Sequence, residues 1–495
     1  MTAGPDLSTG LPDRLVGDLP VRDARAAAAA VPDDATVAVS GFGSVGYPKA
    51  VPRQVAAAAE AGERDPALTV VSGGSVGEEI DTVLVEAGAV ARRYPFQARP
   101  AARSAVNDRE VDFGDRGIAG LSDEVRFGRV VDPDVTVVEA VAVGPDWFVP
   151  SMSIGQVPGY VAAADELVVE VNEAQPLALA RYHDVFLRDA PPDRGPLGLA
   201  SPGDRVGGPA VDFDPGKLRA VVRTDARDDP YEFRDLTDVD RRIAEHLLRF
   251  LEREAARDPV VGAAPTLQFG VGSLGNALMS ALADSSLVDE DLRYYGEVIQ
   301  DGLLDLLDDG HLEAASATSL ALSAEGQDRL FDDPDRYADR VVLRPSDVSN
   351  APALVDRFGV VAVNSAVGVD IYGHINSTHV RGSRLINGVG GSVDFNRNAH
   401  VTVVALPATA GDGDVSTVVP KATHVDHTEH DVDVVVTEHG VADLRGRSPV
   451  ERADVIINCA APDARPDLRA YLNRARDGRG HQPHDLDSAY DWRDT

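Results

Sequence analysis

Two glycine-rich stretches have spacings that could do chemistry. Residues 40–52 read SGFGSVGYPKAVP and contain Gly41-x-Gly43-x-x-Gly46; residues 269–282 read FGVGSLGNALMSAL and contain Gly270-x-Gly272-x-x-Gly275. Such a loop turns tightly, lets backbone N–H groups approach an anion and feeds a helix N-terminus. A dinucleotide site also needs an acidic residue at the end of the following strand, about 20 residues on. The first copy lacks one, because its next strand ends VVSGGS. The second has Glu297, 22 residues after Gly275. On spacing alone, a nicotinamide-dependent dehydrogenase and simple close packing of strand on helix both stay open.

Glu297 points to another chemistry. In YYGEVIQDGLLDLLDDG it is expected where a strand ends and a helix begins, with Gly270 to Leu274 ending the neighbouring strand at the same edge. In open parallel sheets ligands bind at that carboxyl edge. A carboxylate beside a loop of free N–H groups suits acyl transfer, with the carboxylate as nucleophile and the amides holding the oxyanion. For an isolated glutamate, a helix cap or a surface charge is the simpler reading.

Three further features invite chemistry. His424-x-x-His427-x-x-His430 has three-residue spacing, which fits neither a strand face nor the i,i+4 pair of a helical zinc site, so a hydrogen-bonded loop is expected. Cys459, the single cysteine, sits in VIINCAAP and reads as a buried small hydrophobe ending an apolar strand. The one Gly-x-Ser-x-Gly spacing, Gly73 to Gly77 in VVSGGSVG, is not taken as a nucleophile elbow, and a serine thioesterase is not expected.

The elements that position these residues follow from periodicity. ATVAVSGFGSVG, AVPRQVAAAAEAGE and ALTVVSGGSVG read as strand, helix and strand, and VTVVEAVAV and ELVVEVN as further strands. Strand–turn–helix–strand order implies a parallel sheet. The order restarts downstream: DRRIAEHLLRFLERE is an amphipathic helix, PTLQFGVGSLG a strand and turn, NALMSALADS a helix and DLRYYGEV a strand, offset by 229 residues from Gly41 to Gly270. The expected fold class is therefore α/β, two similar open-sheet domains from an internal duplication. The expected domains are residues 1–225 and 226–475, with 476–495 as an exposed tail.

The chain of 495 residues is long enough for more than one core. Lys+Arg is 47 against Asp+Glu 81, a net of −34, and the lysines are only Lys49, Lys217 and Lys421. Such a surface repels nucleic acid and anionic membranes. It also fits adaptation to a salty cytoplasm, where the screening length falls to about 3 Å at 1 M and self-repulsion weakens. No apolar run reaches the roughly 18 residues of a membrane span, and the first 20 residues lack the pattern of a signal peptide. A cytoplasmic protein is expected.

Longer stretches carry a family resemblance. GEVIQDGLLDLLDDG, NSAVGVDIYGHINSTHVRGSRLINGVGGSVDFNRNA, HVDHTEHDVDVVVTEHGVADLRG and INCAAPDARPDLRAYL, with GYPKAVP and VEVNEAQPLALARYHDVF in the first half, resemble the acetyl-CoA hydrolase/transferase family of class I CoA-transferases. Within it they are most similar to succinyl-CoA:acetate CoA-transferases. The resemblance spans roughly residues 30–475. It implies two α/β domains with the active site between them, a homodimer, acyl-CoA and short carboxylates as substrates, and no tightly bound cofactor or metal.

The resemblance also implies roles. Glu297 would be the nucleophile, passing through an anhydride to a glutamyl-CoA thioester. Leu274 and Gly391 would supply oxyanion-hole amides, Asn350 would orient the carboxylate or acyl group, and Glu438 would line the site. CoA contacts would fall on Gly270, Val271, Gly272, Ser273, Leu274, Val367, Asn387, Gly391 and Gly411. Two positions depart from the family: Gly411 stands where a lysine is usual, and Gly368 where a glutamate is more frequent. Arg384, where the family often has lysine, is the expected cation for the CoA phosphates. The rivals are an acyl-CoA hydrolase of the same fold and a non-catalytic sensor, which would need an output domain.

Overall fold

The computed structural model describes residues 13–229, 234–270, 272–283, 285–289, 292–411 and 413–491. The described residues form two compact units. The first draws on Met1–Glu232, Tyr295–Asp308 and Glu313–Leu354; the second on Phe233–Tyr294, Asp309–Leu312 and Val355–Thr495. Glu297 and Asn350 thus both belong to the first unit.

In the first unit seven strands run parallel in the order Asp112–Phe113, Val90–Tyr94, Leu68–Val71, Thr36–Val39, Val135–Val143, Glu166–Asn172, Leu218–Thr224. Trp147–Pro150 and Val211–Asp212 add an antiparallel arm. All nine residues of Val135–Val143 are buried, as expected of an apolar run covered on both faces. The helices Ala24–Ala28 and Ala50–Glu60 cover one face, where Ala27, Ala28 and Ala56 pack among the strand valines. Their small side chains let helix and sheet approach closely. Leu121, Val125 and Tyr160 cover the other face.

The second unit repeats the plan. Thr266–Phe269 lies between Arg293–Tyr295 and Val361–Ser365, followed by Val401–Ala405 and Val434–Thr437, all parallel. Gly440–Asp443 closes the edge antiparallel. In both units the strand feeding the glycine loop is flanked by the next strand on one side and a later one on the other, which is the doubly wound order. The α/β class and the repeated open sheet expected from the sequence are therefore present. Asp238–Arg257 begins at a capping box of Thr237 and Asp240, which satisfies two otherwise orphaned N–H groups.

Three local expectations need correction. Cys459 ends a helix, Pro449–Cys459, and not a strand. Ser448 and Glu451 form a capping box with Pro449 in the first turn, and this start signal outweighs the β-branched run Val455–Ile457. The segment DLRYYGEV is not one strand: it breaks at Gly296 and Glu297 between Arg293–Tyr295 and Val298–Ile299. The tail is not wholly exposed. Ala489 is buried, Tyr471 Oη lies 2.7 Å from His484 Nδ1, and Tyr372 donates to the Pro483 carbonyl. A few well-placed apolar and aromatic groups suffice to hold it down.

Candidate active site

The first glycine loop is packed shut. Every residue from Val37 to Lys49 is buried. Three of its N–H groups are taken by the protein: Phe42 donates to Val45, Ser44 to Ser75 and Gly46 to Asp228 Oδ1 at 3.1 Å. A Cβ on Gly46 would sit 2.7 Å from the Ser153 nitrogen, and one on Gly43 would sit 3.3 Å from Ala321 Cβ. These glycines serve close approach, and the burial of the whole loop leaves no open face for a dinucleotide.

Beneath it lies a buried charged hub. Lys49 Nζ is 2.6 Å from Glu139 and 2.8 Å from Asp228. Glu170 accepts three N–H groups, from Lys49, Ala50 and Val51, at 2.6–2.9 Å. This carboxylate caps the helix Ala50–Glu60 from inside the core. Burial alone would lower the Lys49 pKa, but Asp228 and Glu139 outweigh it and keep the ammonium charged.

Glu297 sits on the break between two short strands. Its carbonyl accepts from the Thr318 and Ser319 N–H groups at 2.9 and 3.2 Å. Val298–Ile299 pairs with Ser319–Leu320 in a two-stranded parallel sheet, and the helix Asp301–Asp308 follows. The side chain is half-buried. Asn350 Nδ2 donates to Glu297 Oε1 at 2.8 Å. Asn350 is itself fully buried. It ends the helix Ser346–Ser349, and Ser349 Oγ donates to its Oδ1 at 2.8 Å. The amide plane is thus fixed so that its NH2 faces the carboxylate, which suits a nucleophile needing one orientation.

In the second unit, Gly270, Gly272, Ser273 and Leu274 line a cavity of about 200 Å³. It opens at the carboxyl ends of Thr266–Phe269, Val361–Ser365 and Val401–Ala405 and at the start of the helix Ser273–Leu282. Val271 lies outside the described residues. Gly272 has φ +149°, a conformation essentially reserved for glycine. Arg234, Asp240, Ser365 and Pro407 also line the cavity. The Thr237-x-x-Asp240 cap was a readable signal for Asp240, whereas nothing in the sequence marked Arg234.

The remaining candidates do not line this cavity. Glu438 is half-buried and accepts from the Ala408 N–H at 2.8 Å. Gly391 precedes the short helix Ser392–Asn396, and its carbonyl accepts from Asp394 and Phe395. Val367 donates to Asn376 at 2.8 Å. Gly411 is an exposed turn residue with φ +63°. A Cβ on Gly368 would lie 3.0 Å from the Thr417 carbonyl, so close strand packing favours glycine there. The three histidines diverge. His424 bonds Asp426, His427 Nε2 lies 3.1 Å from Ser392 Oγ, and His430 is exposed beside Glu429. Among the described residues no group of three or more His, Cys, Asp or Glu side chains is placed to hold a metal ion. Burial pushes the Cys459 thiol up to about 12, which leaves it inert.

Comparison with known proteins decides the family. Residues 21–222 match the acetyl-CoA hydrolase/transferase N-terminal domain, and residues 326–472 match the C-terminal domain. The chain belongs to the acetyl-CoA hydrolase/transferase family. It is 38% identical to a succinyl-CoA:acetate CoA-transferase of Clostridium kluyveri, over 92% of this chain and 85% of that protein. It is 37% identical to an acetyl-CoA hydrolase of Neurospora crassa, over 93% of this chain and 91% of that one. The structure of RipA from Yersinia pestis shares the fold, with TM-score 0.71, 20% identity, and coverage of 92% of this chain and 97% of that one. Membership of this family makes the chain an enzyme of acyl-CoA substrates. Glu297 falls between the two matched segments. Among the described residues no helix is long and apolar enough to cross a membrane.

Proposed function

We propose that this enzyme moves CoA between acetyl-CoA or succinyl-CoA and small carboxylates such as acetate and succinate, through a glutamyl-CoA thioester on Glu297. The observation that carries the reading is the half-buried Glu297 carboxylate held by the buried Asn350 amide.

The chemistry balances without a cofactor. A Glu297 oxygen attacks the thioester carbonyl; the C–S bond breaks, leaving an acyl-glutamyl anhydride and CoA thiolate. The thiolate attacks the glutamyl carbonyl and expels the first carboxylate. A second carboxylate attacks the resulting thioester and reverses the sequence, and no net proton moves. The Leu274 and Gly391 amides receive the negative charge that develops on the carbonyl oxygens. Glu438 lines the site, and Gly270 to Leu274, Val367, Asn387, Gly391 and Gly411 contact CoA. The enzyme works in the cytoplasm as a homodimer.

Hydrolysis is the second reading, favoured by the hydrolase relative of nearly equal identity. The two differ in whether water or a carboxylate intercepts the activated acyl or CoA group, so exclusion of water decides. Intact-protein mass after incubation with acetyl-CoA alone tests the mechanism. A CoA-sized adduct in wild type and none in Glu297→Ala is the expected result. No adduct on protein that binds acetyl-CoA, with steady release of CoA, would favour the hydrolase.

A further inference from the structure

Tyr295 lies two residues before Glu297, and its hydroxyl reaches the helix that ends in Asn350. Its Oη donates to the Val348 carbonyl, and the Ala351 N–H bonds the same oxygen. Val348 and Ala351 stand on either side of Ser349 and Asn350. One hydroxyl therefore grips both sides of the turn that presents the amide. Tyr295, Val348 and Asn350 are at 0% exposure and Ala351 at 3%, so solvent cannot stand in for these bonds.

The helix needs such support. Ser346–Ser349 is about one turn long, and so short a helix does not hold itself. Locally it has the Asn350 N–H on the Ser346 carbonyl at 3.0 Å and the Ala351 N–H on the Val348 carbonyl at 3.1 Å. Its start is fixed from elsewhere in the same unit. The Ser346 N–H donates to the Gly155 carbonyl at 2.8 Å. Thr318 Oγ1 lies 3.4 Å from Ser346 Oγ and donates to the Arg344 carbonyl at 2.7 Å. The Thr318 N–H in turn holds the Glu297 carbonyl at 2.9 Å. Both ends of the helix are thus tied to the chain around Glu297, the start through Thr318 and the end through Tyr295.

Tyr295 does not act by trading protons. Burial pushes its pKa upward, so the hydroxyl keeps its proton and serves as a fixed donor. Its effect runs through geometry. A phenylalanine in its place keeps the ring and its packing and loses only the bond to the turn.

We propose that Tyr295 is a positioning residue for the reaction, its hydroxyl holding the turn at Val348 and Ala351 so that the Asn350 amide meets the Glu297 carboxylate in one orientation. This rests on the reading of Glu297 as the nucleophile. A displacement of about 1 Å at a reacting group can cost on the order of 10²-fold in rate, and the turn is what prevents it here.

The test is Tyr295→Phe, made alone and on the Asn350→Ala background. Alone, it lowers kcat roughly tenfold, while KM for acetyl-CoA and the shape of the kcat pH profile stay as in wild type. On Asn350→Ala the same substitution changes kcat by less than about twofold, because the group it acts through is gone. Tyr372→Phe, which loses a like hydroxyl-to-carbonyl bond to Pro483, leaves kcat unchanged. An equal fall with and without the Asn350 amide, or no fall in the single variant, would overturn the assignment. Hydrogen exchange of the peptide carrying Asn350 and Ala351 reads the turn without catalysis. It quickens about tenfold in Tyr295→Phe and not in Tyr372→Phe. If it does so while wild type forms no covalent adduct with acetyl-CoA, the hold on Asn350 stands and the nucleophile reading fails. Exchange that stays at the wild-type rate removes the hold.

Discussion

Asn350 Nδ2 meets Glu297 Oε1 at 2.8 Å across 53 residues of sequence, and Asn350 is buried to 0% exposure. In the proposed mechanism an amide so fixed sets the attack angle of the carboxylate. Asn350→Ala is expected to lower kcat about 10²-fold, the scale of one lost site hydrogen bond, while KM for acetyl-CoA changes little. Steady-state kinetics check this. A kcat near wild type would remove Asn350 from the machinery.

The two glycine loops separate by substitution. Gly46→Ala places a Cβ against backbone at 2.7 Å and forces a left-handed residue. A stability loss of roughly 2 kcal/mol or more follows, read by denaturant titration. On Gly272 a Cβ meets nothing within 4 Å. Gly272→Ala strains only the loop conformation, so ligand affinity falls more than global stability.

Lys49 has two buried carboxylates on it. Lys49→Met leaves Glu139 and Asp228 uncompensated, an expected cost of about 3–5 kcal/mol. Burial pushes the Glu139 carboxyl up to about 7, against the pull of Lys49. The folded value exceeds the unfolded one, so this contribution is full below the unfolded value and is lost as pH rises through about 7. Glu139→Gln should flatten that part of the stability–pH curve. An unchanged slope in the variant would show that other groups set it.

His374 bridges two carboxylates. Its Nδ1 is 3.0 Å from Asp370 and its Nε2 2.8 Å from Glu429, which also accepts from Gln482. The bond to Asp370 raises its pKa against burial, with Glu429 adding to the rise and Lys421 opposing it. The stabilisation is complete below the ordinary histidine value and lost as pH rises through the raised one. Because Gln482 hangs on Glu429, proteolysis within residues 477–491 should quicken above neutral pH. In His374→Phe the rate should no longer depend on this titration.

The charge of −34 makes salt a direct probe. Self-repulsion falls as the Debye length shortens, so the melting temperature should climb from 0.1 M toward 2 M potassium chloride. Greatest stability in dilute buffer would refute adaptation to a salty interior.

Much of the fold was legible because long apolar runs such as Val135–Val143 have one reading, a covered parallel strand. Cys459 was misread because Val455–Ile457 looked like a strand, although Ser448 and Glu451 already spelled a helix start. The packing of the tail escaped because it rests on single contacts, of His484 with Tyr471 and of Pro483 with Tyr372, the latter 111 residues away in sequence.

The sequence by itself determined the class of the fold, the duplication, the glycine turns and the stretches that carry the family likeness, since these are local patterns of period, size and charge. It could not say that one Gly-x-Gly-x-x-Gly loop is sealed while the other opens on a cavity. The motif is the same in both. Only the tertiary structure decided which N–H groups were already spent, because a hydrogen bond such as Gly46 to Asp228 closes across 182 residues. The same holds for the Asn350 amide on Glu297. Chemistry at these positions depends on burial and partners, and both are set by packing.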